Sequence, residues 1–225
     1  MARRNLQWLG ENVIIGWKKK LFILNKRRQI LKYRESGMPA ECMWNTFFNP
    51  AEILDKMGID ATLDTIIDVG CGYGTFLFPI AELVNSRVIG IDIDEEMIRI
   101  CRDKSLGSDS EKIELLYGDI STAETLEILA KYHNQVDYIT LFNILHCEEP
   151  AELLKNSFDI LGDKGKIGVI HWKYEDTPRG PSMEIRPKPE MIIEWAHKAG
   201  FVLDRQIDLP PYHYGLLFSK SLPRR

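Results

Sequence analysis

The sequence has few cysteines and no long apolar run. Its cysteines lie far apart and form no C-x-x-C pair; they are Cys42, Cys71, Cys101 and Cys147. This usage is typical of a reducing cytosol rather than of a disulfide framework, and it carries no zinc signature. No charge-free apolar stretch reaches the ~18 residues that a membrane-spanning helix needs, and residues 13–17 are too short for the core of a secretory signal. We therefore expect a cytoplasmic protein without a transmembrane segment or a metal site.

The chain also carries little net charge. Its 29 Lys and Arg and 33 Asp and Glu give a formal charge of −4 at pH 7, which disfavours an obligate nucleic-acid binder without excluding one. The average hides a basic segment, because residues 1–34 hold ten Lys and Arg and one acid, Glu11. This segment is interpreted as a solvated helix that caps the site, as an arm that steers RNA, or as a peripheral membrane contact. The third interpretation rests on Trp8 and Trp17, which interleave with the lysines.

The composition is that of one globular domain with an appendage. Its 225 residues are 44% hydrophobic and 28% charged, which excludes the intrinsically disordered classes. Apolar residues recur at steps of three to four through much of residues 1–60, with a break at residues 36–39 and a short helix expected at about residues 51–57. We predict that residues 1–60 form a basic N-terminal helical extension or cap and that residues 61–225 form the main domain.

Short apolar, β-branched runs alternate with helical segments from residue 64 onward. Five strands are predicted at residues 65–69, 87–92, 112–117, 136–142 and 166–172. Such runs suit strands that are buried on both faces of a parallel sheet covered by helices. Two last strands, at residues 201–207 and 214–219, follow a helix that begins at Pro189, and their proximity predicts an antiparallel hairpin. The pattern predicts an α/β fold with a doubly wound sheet.

Three successive predicted strands end in an acidic residue or are followed by one. These residues are Asp68, Asp92 and Asp119. In an open parallel sheet, ligands bind outside the carboxyl ends of the strands, where the strand order reverses. If the three strands are neighbours, their carboxylates line one edge that is rich in hydrogen-bond acceptors. That edge suits a ligand with hydroxyls, amines and positive charge, and it does not suit a naked polyphosphate.

A glycine-rich turn follows the first strand, in the sequence Gly70-Cys71-Gly72-Tyr73-Gly74. Glycines allow a tight turn and let the backbone approach a ligand closely. The spacing is G-x-G-x-G, which differs from the G-x-G-x-x-G of dinucleotide folds, and no phosphate-loop lysine follows. Asp92 lies 22 residues after Gly70. At this sequence spacing, an acid at the end of the second strand accepts hydrogen bonds from the hydroxyls of a ribose.

With these motifs the chain resembles a class I S-adenosylmethionine-dependent methyltransferase of the small-molecule type. The resemblance covers roughly residues 45–220, and its matching segments are residues 66–74, 88–94, 116–120, 136–139, 145–146, 161–166 and 199–201. It implies a Rossmann-like, doubly wound seven-stranded sheet of order 3-2-1-4-5-7-6 whose last strand is antiparallel. It also implies that S-adenosylmethionine is the cofactor and that the reaction is methyl transfer.

The resemblance implies roles at the methionine end of the cofactor. Asp68 and Gly70 would face this end, partly through water, while Gly72 and Gly74 allow close approach. Cys71 and Tyr73 complete the cofactor-binding turn. Phe142 and Asn143, after the fourth strand, would border the methionine portion and the transferred methyl group.

The adenosine end takes four residues by the same resemblance. Asp92 would accept hydrogen bonds from the ribose hydroxyls, and Ile93 would pack on the adenine. Asp119 would accept from the adenine amine, and the backbone of Ile120 would address the ring. Ordinary turn chemistry is the alternative interpretation for Asp92 and Asp119.

Three residues outside the glycine turn are candidates for contact with the acceptor. His146 follows that strand and has the pKa range of a general base, although it also suits the start of a helix. Trp44 and Phe47 precede the sheet and are interpreted as an aromatic wall over the acceptor or as packing under the N-terminal helix.

The long polar segment after the fifth strand supplies the other acceptor candidates. His171 lies at the end of that strand, and residues 173–189 follow it with Arg179 and Arg186. A segment of this length is typical of a lid or substrate loop, and arginines suit a carboxylate or phosphate on the acceptor. A solvated connection is the alternative.

The sequence therefore predicts in-line methyl transfer to a small-molecule acceptor. The adenine and amide methylating motif Asn/Asp-Pro-Pro-Tyr/Phe and the Pro-Cys of cytosine methylation are both absent after the fourth strand, where the chain reads Phe142-Asn143-Ile144-Leu145. Three alternatives stay open: an acceptor in RNA or at a membrane, reached through the basic residues 1–34; a non-catalytic cofactor-binding protein; and a nicotinamide-dependent oxidoreductase, which the glycine spacing disfavours. The pattern predicts no oligomeric state.

Overall fold

A computed structural model of the protein describes residues 39–106 and 110–221. The basic segment 1–34 and residues 36–38 of the predicted break at 36–39 lie outside the described residues, so the cap predicted there stays a prediction. The part of the predicted extension that is described forms two short helices, α1 (Glu41–Trp44) and α2 (Pro50–Lys56), joined by a 3-10 turn. Asn49 caps α2 by accepting a hydrogen bond from Glu52 N, and Pro50 starts the helix as expected.

Residues 39–60 belong to the same compact unit as the sheet. Leu54 and Met57 are fully buried against the sheet core, and the backbone carbonyl of Met57 accepts a hydrogen bond of 2.8 Å from the hydroxyl of Tyr138. Of the predicted extension 1–60, the described residues thus pack into the core of the sheet, and the predicted boundary at residue 60 stays a prediction.

The sheet has seven strands in the order β3-β2-β1-β4-β5-β7-β6. Its strands are β1 (Thr65–Val69), β2 (Arg87–Asp92), β3 (Ile113–Tyr117), β4 (Val136–Phe142), β5 (Leu161–Trp172), β6 (Phe201–Leu209) and β7 (His213–Lys220). The first five strands pair in parallel, and β7 runs antiparallel to both β5 and β6. The order and the direction of the last strand are those that the resemblance implied.

Helices cover both faces of the sheet. They are α3 (Leu77–Leu83), α4 (Glu95–Lys104), α5 (Ala123–Leu129), α6 (Pro150–Ile160) and α7 (Pro189–Ala199). One apolar core, around Ile67, Ile139 and Leu216, lies on one face, and a second, around Ile66 and Leu217, lies on the other. This division explains why β1 is buried along its whole length. Among the described residues, none of the helices has the length and apolar character required to cross a membrane.

β5 begins at Leu161, five residues before the predicted start. Leu161 pairs with Val136, and the regular register then resumes at Lys166 opposite Tyr138. The polar residues between them form an irregular stretch, and their composition hid the strand from a pattern based on apolar runs.

The order of the strands reverses between β1 and β4. In open parallel sheets, ligands bind outside the carboxyl ends of the strands at such a reversal, beside the loops that follow the two strands.

Candidate active site

The glycine turn after β1 is anchored to β2 by its backbone. Gly70 N and Cys71 N both donate to Ile91 O, at 2.7 and 3.1 Å. Gly70, Gly72 and Gly74 all have positive φ, between 53° and 80°, a region that other residues enter at a cost. A Cβ on Gly70 would also lie 2.6 Å from Ile144 Cγ2. The turn therefore requires glycine both for its conformation and for the space between β1 and the loop after β4.

Asp92 joins this turn to the loop after β2. Its Oδ2 accepts from Gly72 N at 2.8 Å, and its Oδ1 accepts from Asp94 N at 2.9 Å. Burial raises the pKa of the Asp92 carboxyl, and the hydrogen bonds from the Asp94 and Gly72 amides oppose that rise. The carboxylate is thus placed at the end of β2, where the resemblance puts the ribose.

Asp68 is a buried carboxylate without a cation beside it in the described part of the chain. It is 3% exposed, and one of its oxygens accepts a short hydrogen bond from Thr140 Oγ1 on β4. Burial raises the pKa of Asp68 to about 6, against the effect of the Thr140 hydrogen bond, and the nearby Asp92 carboxylate raises it further. Such a group is complementary to a cationic group on a ligand.

We expect Asp68→Asn to stabilise the ligand-free protein at neutral and higher pH. Because the folded pKa lies above the ordinary value of 3.8, Asp68 costs no folding free energy below pH 3.8. The cost grows as the pH rises towards about 6, to roughly 3 kcal/mol above it. Asparagine avoids this cost and still accepts from Thr140. The cost is measured as the difference in free energy of unfolding between wild type and Asp68→Asn, by urea unfolding from pH 4.5 to 8. The buried histidines contribute equally to both proteins, so their contribution cancels in this difference.

A difference in stability that does not grow between pH 4.5 and 7 would show that Asp68 ionises normally in the fold. Thr140→Val serves as the second variant, because it removes the hydrogen bond that favours the ionised form. At neutral pH, Thr140→Val should lower the free energy of unfolding, whereas Asp68→Asn should raise it.

The adenosine side is more open than the methionine side. Ile93 is 45% exposed and follows Asp92 directly, so its apolar side chain is available to a flat ring. Asp119 Oδ1 accepts from the amide and the hydroxyl of Ser121, which is the turn chemistry that the sequence left as the alternative. Ile120 is buried in the sheet core. Roles of Asp119 and Ile120 towards an adenine stay predictions.

The loop after β4 begins with a strained residue. Asn143 has φ 60°, and both polar atoms of its side chain are buried without a hydrogen-bond partner among the described residues. Phe142 before it packs edge-to-face on Phe76, with 4.8 Å between ring centroids. A left-handed asparagine with an unused amide is costly, and such features cluster at functional sites.

His146 and His171 meet beside this loop. Their ring centroids are 5.5 Å apart, and His146 Nδ1 has no partner within the described chain. Burial lowers the pKa of His146 to about 4, and the Arg186 charge lowers it further. Burial likewise lowers the pKa of His171 well below its ordinary value. Both rings are therefore neutral at pH 7.

Arg186 fixes the loop after β5 from inside. Its guanidinium donates to the backbone carbonyls of Lys173, Glu175 and Pro181 at 2.8–3.0 Å, and also reaches Thr177 Oγ1. A sixth contact goes to the carbonyl of Arg179. These bonds occupy the guanidinium N–H groups, so the predicted contact of Arg186 with an acceptor has no donor left to make it. The side chain of Arg179 is exposed, so its contact with an acceptor stays a prediction.

Trp44 and Phe47 lie in a row of aromatic rings beside the end of β5. Phe47 packs edge-to-face on Trp172 at 5.4 Å between centroids, and Trp44 lies 5.0 Å from Phe48. Both side chains are half-buried. The buried edge of each ring therefore packs within the fold, as the second interpretation predicted. The exposed edge of each ring stays available to a ligand, so the aromatic wall over the acceptor stays a prediction.

Three residues near the candidate site were not predicted from the sequence. Thr140 pairs with Asp68, and a hydroxyl in an otherwise apolar strand was the signal. Lys104 donates to Tyr73 O at 2.8 Å and forms an ion pair with Glu41. Lys104, Tyr73 and Glu41 line a cavity of about 360 Å³ beside the turn. His213 is buried against Trp172 at 4.2 Å, and no local pattern indicated it.

The residues present fit S-adenosylmethionine. Asp68 offers a buried carboxylate to a positively charged methionine end, the glycine turn presents backbone without side chains at positions 70, 72 and 74, and Asp92 offers acceptors to hydroxyls. A seven-stranded sheet of this order, with such a turn and two buried acids at its switch point, defines the class I methyltransferase fold.

Comparison with known proteins agrees with this class. Residues 61–198 match the family model described as "Methyltransferase domain". The chain is 29% identical over 160 residues to phosphoethanolamine N-methyltransferase 1 of Triticum aestivum, covering 71% of this chain and 30% of that protein. It is 23% identical over 184 residues to hydroxymycolate synthase MmaA4 of Mycobacterium bovis, covering 71% of this chain and 58% of that protein.

The fold is also found among solved structures. A S-adenosylmethionine-dependent methyltransferase from Aquifex aeolicus superposes with a TM-score of 0.69 at 23% identity, covering 78% of this chain and 91% of that chain. The chain belongs to the methyltransferase domain family, a family of enzymes whose cofactor is S-adenosylmethionine. It spans between about a third and three fifths of the length of the two curated relatives above.

Proposed function

We propose that the protein transfers a methyl group from S-adenosylmethionine to a small-molecule acceptor. The observation that carries this proposal is that two buried carboxylates and a group of buried polar side chains lie at the carboxyl ends of neighbouring strands. Asp68 and Asp92 are the carboxylates, while Asn143 and His146 begin the second group directly after β4. A binding protein needs the first group and has no use for the second.

S-adenosylmethionine, when bound, supplies an activated methyl group with a neutral thioether as leaving group. The chain supplies position: Asp68, the glycine turn and Asp92 hold the cofactor, and alignment of the reactants contributes much of the rate. Phe142 and Phe76 exclude water on one side. His146 is neutral at pH 7 because of its lowered pKa, so one of its ring nitrogens is an unprotonated hydrogen-bond acceptor, and the lowered pKa makes it a weaker base than its ordinary pKa suggested.

The acceptor is the open part of the proposal. The relatives act on different molecules by their names, a phosphoethanolamine in wheat and a demethylmenaquinone in Lactococcus lactis, so the family supports a small molecule without selecting one. An acceptor in RNA or at a membrane would need residues 1–34, which lie outside the described residues. A cytoplasmic location also stays a prediction, and a nucleic-acid partner stays disfavoured by the net charge without being excluded.

We expect S-adenosylmethionine and S-adenosylhomocysteine, but not NADH, to stabilise the protein against heat. A ligand at 100 times its dissociation constant adds ~2.7 kcal/mol, which raises the melting temperature by roughly 5–10 °C for a chain of this size. Differential scanning fluorimetry measures the shift. Stabilisation by NADH alone would overturn the proposal in favour of an oxidoreductase. Binding without S-adenosylhomocysteine formation from a broad acceptor panel would favour the non-catalytic alternative.

A further inference from the structure

Helix α4 holds the glycine turn through two successive carbonyl groups. Cys101 Sγ donates to Gly72 O at 3.2 Å, and Lys104 Nζ donates to Tyr73 O at 2.8 Å. The two donors are three residues apart in the helix, so their side chains lie on the same face of it. This face of α4 therefore fixes the direction in which the middle of the turn points its carbonyls.

The backbone of the turn has little stiffness of its own at this place. Gly72 and Gly74 have φ of 53° and 80°, and glycine occupies both signs of φ about equally readily. Gly72 N is held by Asp92 Oδ2 at 2.8 Å, and Gly74 N by Cys71 O at 2.9 Å. The peptide group between Tyr73 and Gly74 is thus held at its amide from within the turn and at its carbonyl from α4.

The ammonium group of Lys104 is itself held in place over the turn. It pairs with Glu41 of α1 and lies 5.9 Å from the ring centroids of both Tyr73 and Phe78. Its side chain is 34% exposed, whereas that of Arg99, which forms ion pairs only within α4, is 59% exposed. Lys104 therefore joins α1, the glycine turn and α4 at one atom, and this distinguishes it from a lysine in a surface ion pair.

We infer that Lys104 is a positioning residue for the cofactor, because its bond to Tyr73 O keeps the glycine turn in the conformation that binds S-adenosylmethionine. The inference rests on the proposed function and adds a residue that would not touch the cofactor. When only one conformation binds a ligand, the apparent dissociation constant rises in inverse proportion to the population of that conformation. Without the lysine, Tyr73 O bonds to water and the turn gains conformations that do not bind.

Lys104→Met tests the inference, because methionine keeps much of the side chain and removes its donor. We expect the dissociation constant of S-adenosylhomocysteine, measured by isothermal titration calorimetry, to rise about fivefold. This change corresponds to about 1 kcal/mol, which suits one charge-assisted hydrogen bond at a partly exposed position. Lys104→Arg retains a charged donor and should restore the affinity to within about twofold of the wild type.

Two control variants separate the bond to the turn from the loss of an ion pair. Glu41→Gln removes the charge that faces Lys104 and leaves the bond from Lys104 to Tyr73 O in place, so the affinity should stay within about twofold of the wild type. Lys56→Met is the matched control, because Lys56 is 36% exposed and pairs with Glu52 inside α2. It should leave the affinity unchanged.

The amide NMR signals of protein labelled with ¹⁵N-glycine report on the turn directly. We expect the signals of Gly72 and Gly74 to be sharp in the wild type and in Lys104→Arg. In Lys104→Met they should be broadened by exchange on the microsecond-to-millisecond timescale, and saturating S-adenosylhomocysteine should sharpen them again. A residue that contributes only to global stability would not produce this local broadening.

Wild-type affinity in Lys104→Met overturns the inference and leaves cofactor binding by the wild type standing. An equal loss of affinity in Glu41→Gln also overturns it, because the effect would then belong to the ion pair with α1. The same holds if Lys104→Arg recovers no affinity. A wild type that binds neither S-adenosylmethionine nor S-adenosylhomocysteine refutes the proposed function instead.

Discussion

Replacing Asp92 with alanine is expected to lower the affinity for S-adenosylhomocysteine at least a hundredfold. The proposed role of this carboxylate is to accept from the ribose hydroxyls, and hydrogen bonds to a charged group contribute ~1.5–3 kcal/mol each. A hundredfold loss corresponds to about 2.7 kcal/mol. The substitution also removes the acceptor of Gly72 N, which holds the glycine turn against β2. Isothermal titration calorimetry with S-adenosylhomocysteine measures the loss.

Asp94→Ala is the matched control for this effect. Asp94 lies two residues further along and caps α4, where its side chain accepts from Glu96 N at 2.9 Å. Removing a cap of this kind costs ~1 kcal/mol of stability, while the affinity for S-adenosylhomocysteine should stay within threefold. Wild-type affinity in Asp92→Ala would mean that the end of β2 does not hold the cofactor, and it would contradict the assignment of Asp92 to the cofactor site.

The second large effect is expected from Arg186→Met, which should destabilise the protein by about 3 kcal/mol. Methionine fills a similar volume and leaves the carbonyls of Lys173, Glu175 and Pro181 without their donor. Each buried carbonyl that loses its partner costs ~1–3 kcal/mol, less where the loop opens to water. At roughly 2–4 °C per kcal/mol, the melting temperature should fall by about 6–12 °C.

The same variant should expose the loop between β5 and α7 to proteases. Limited proteolysis followed by mass spectrometry is expected to find cleavage within residues 173–188 in Arg186→Met and not in the wild type. Arg179→Met is the control, since its side chain is exposed and its backbone carbonyl is unaffected; it should change stability by less than 0.5 kcal/mol. Equal stability of the two variants would show that the guanidinium does not hold the loop.

Local sequence was sufficient for most of the strands and for the acids and glycines at the carboxyl ends of β1 and β2. Residues 65–69 and 87–92 form strands with the bounds that were predicted, because strands buried on both faces must be apolar along their whole length. The glycine turn was recognisable because positive φ and close approach leave few other choices. Asp68 and Asp92 follow from the topology, since parallel neighbours bring their carboxyl ends to one edge.

The roles of other residues were not readable from local sequence. Arg186 has the composition of an anion-binding loop residue, yet its guanidinium turns inward to the carbonyls of its own loop. Whether an arginine faces solvent or its own backbone depends on how the loop closes on the sheet. The segment 39–60 was likewise predicted as an extension, although its apolar residues complete the core beside Ile66 and Tyr138.

By itself the sequence determined the class of fold, the order of its strands through the resemblance, and the acids and glycines at the carboxyl edge of the sheet; their contacts with the cofactor stay predictions. These features depend on periodicity and spacing over a few residues. Only the tertiary structure decided that Thr140 lies on Asp68, that His146 faces His171, and that Lys104 reaches the glycine turn. Those partners lie 25 to 72 residues apart in the chain. Strand register and the packing of helices on the sheet bring them together, and neither is encoded within a local stretch of sequence.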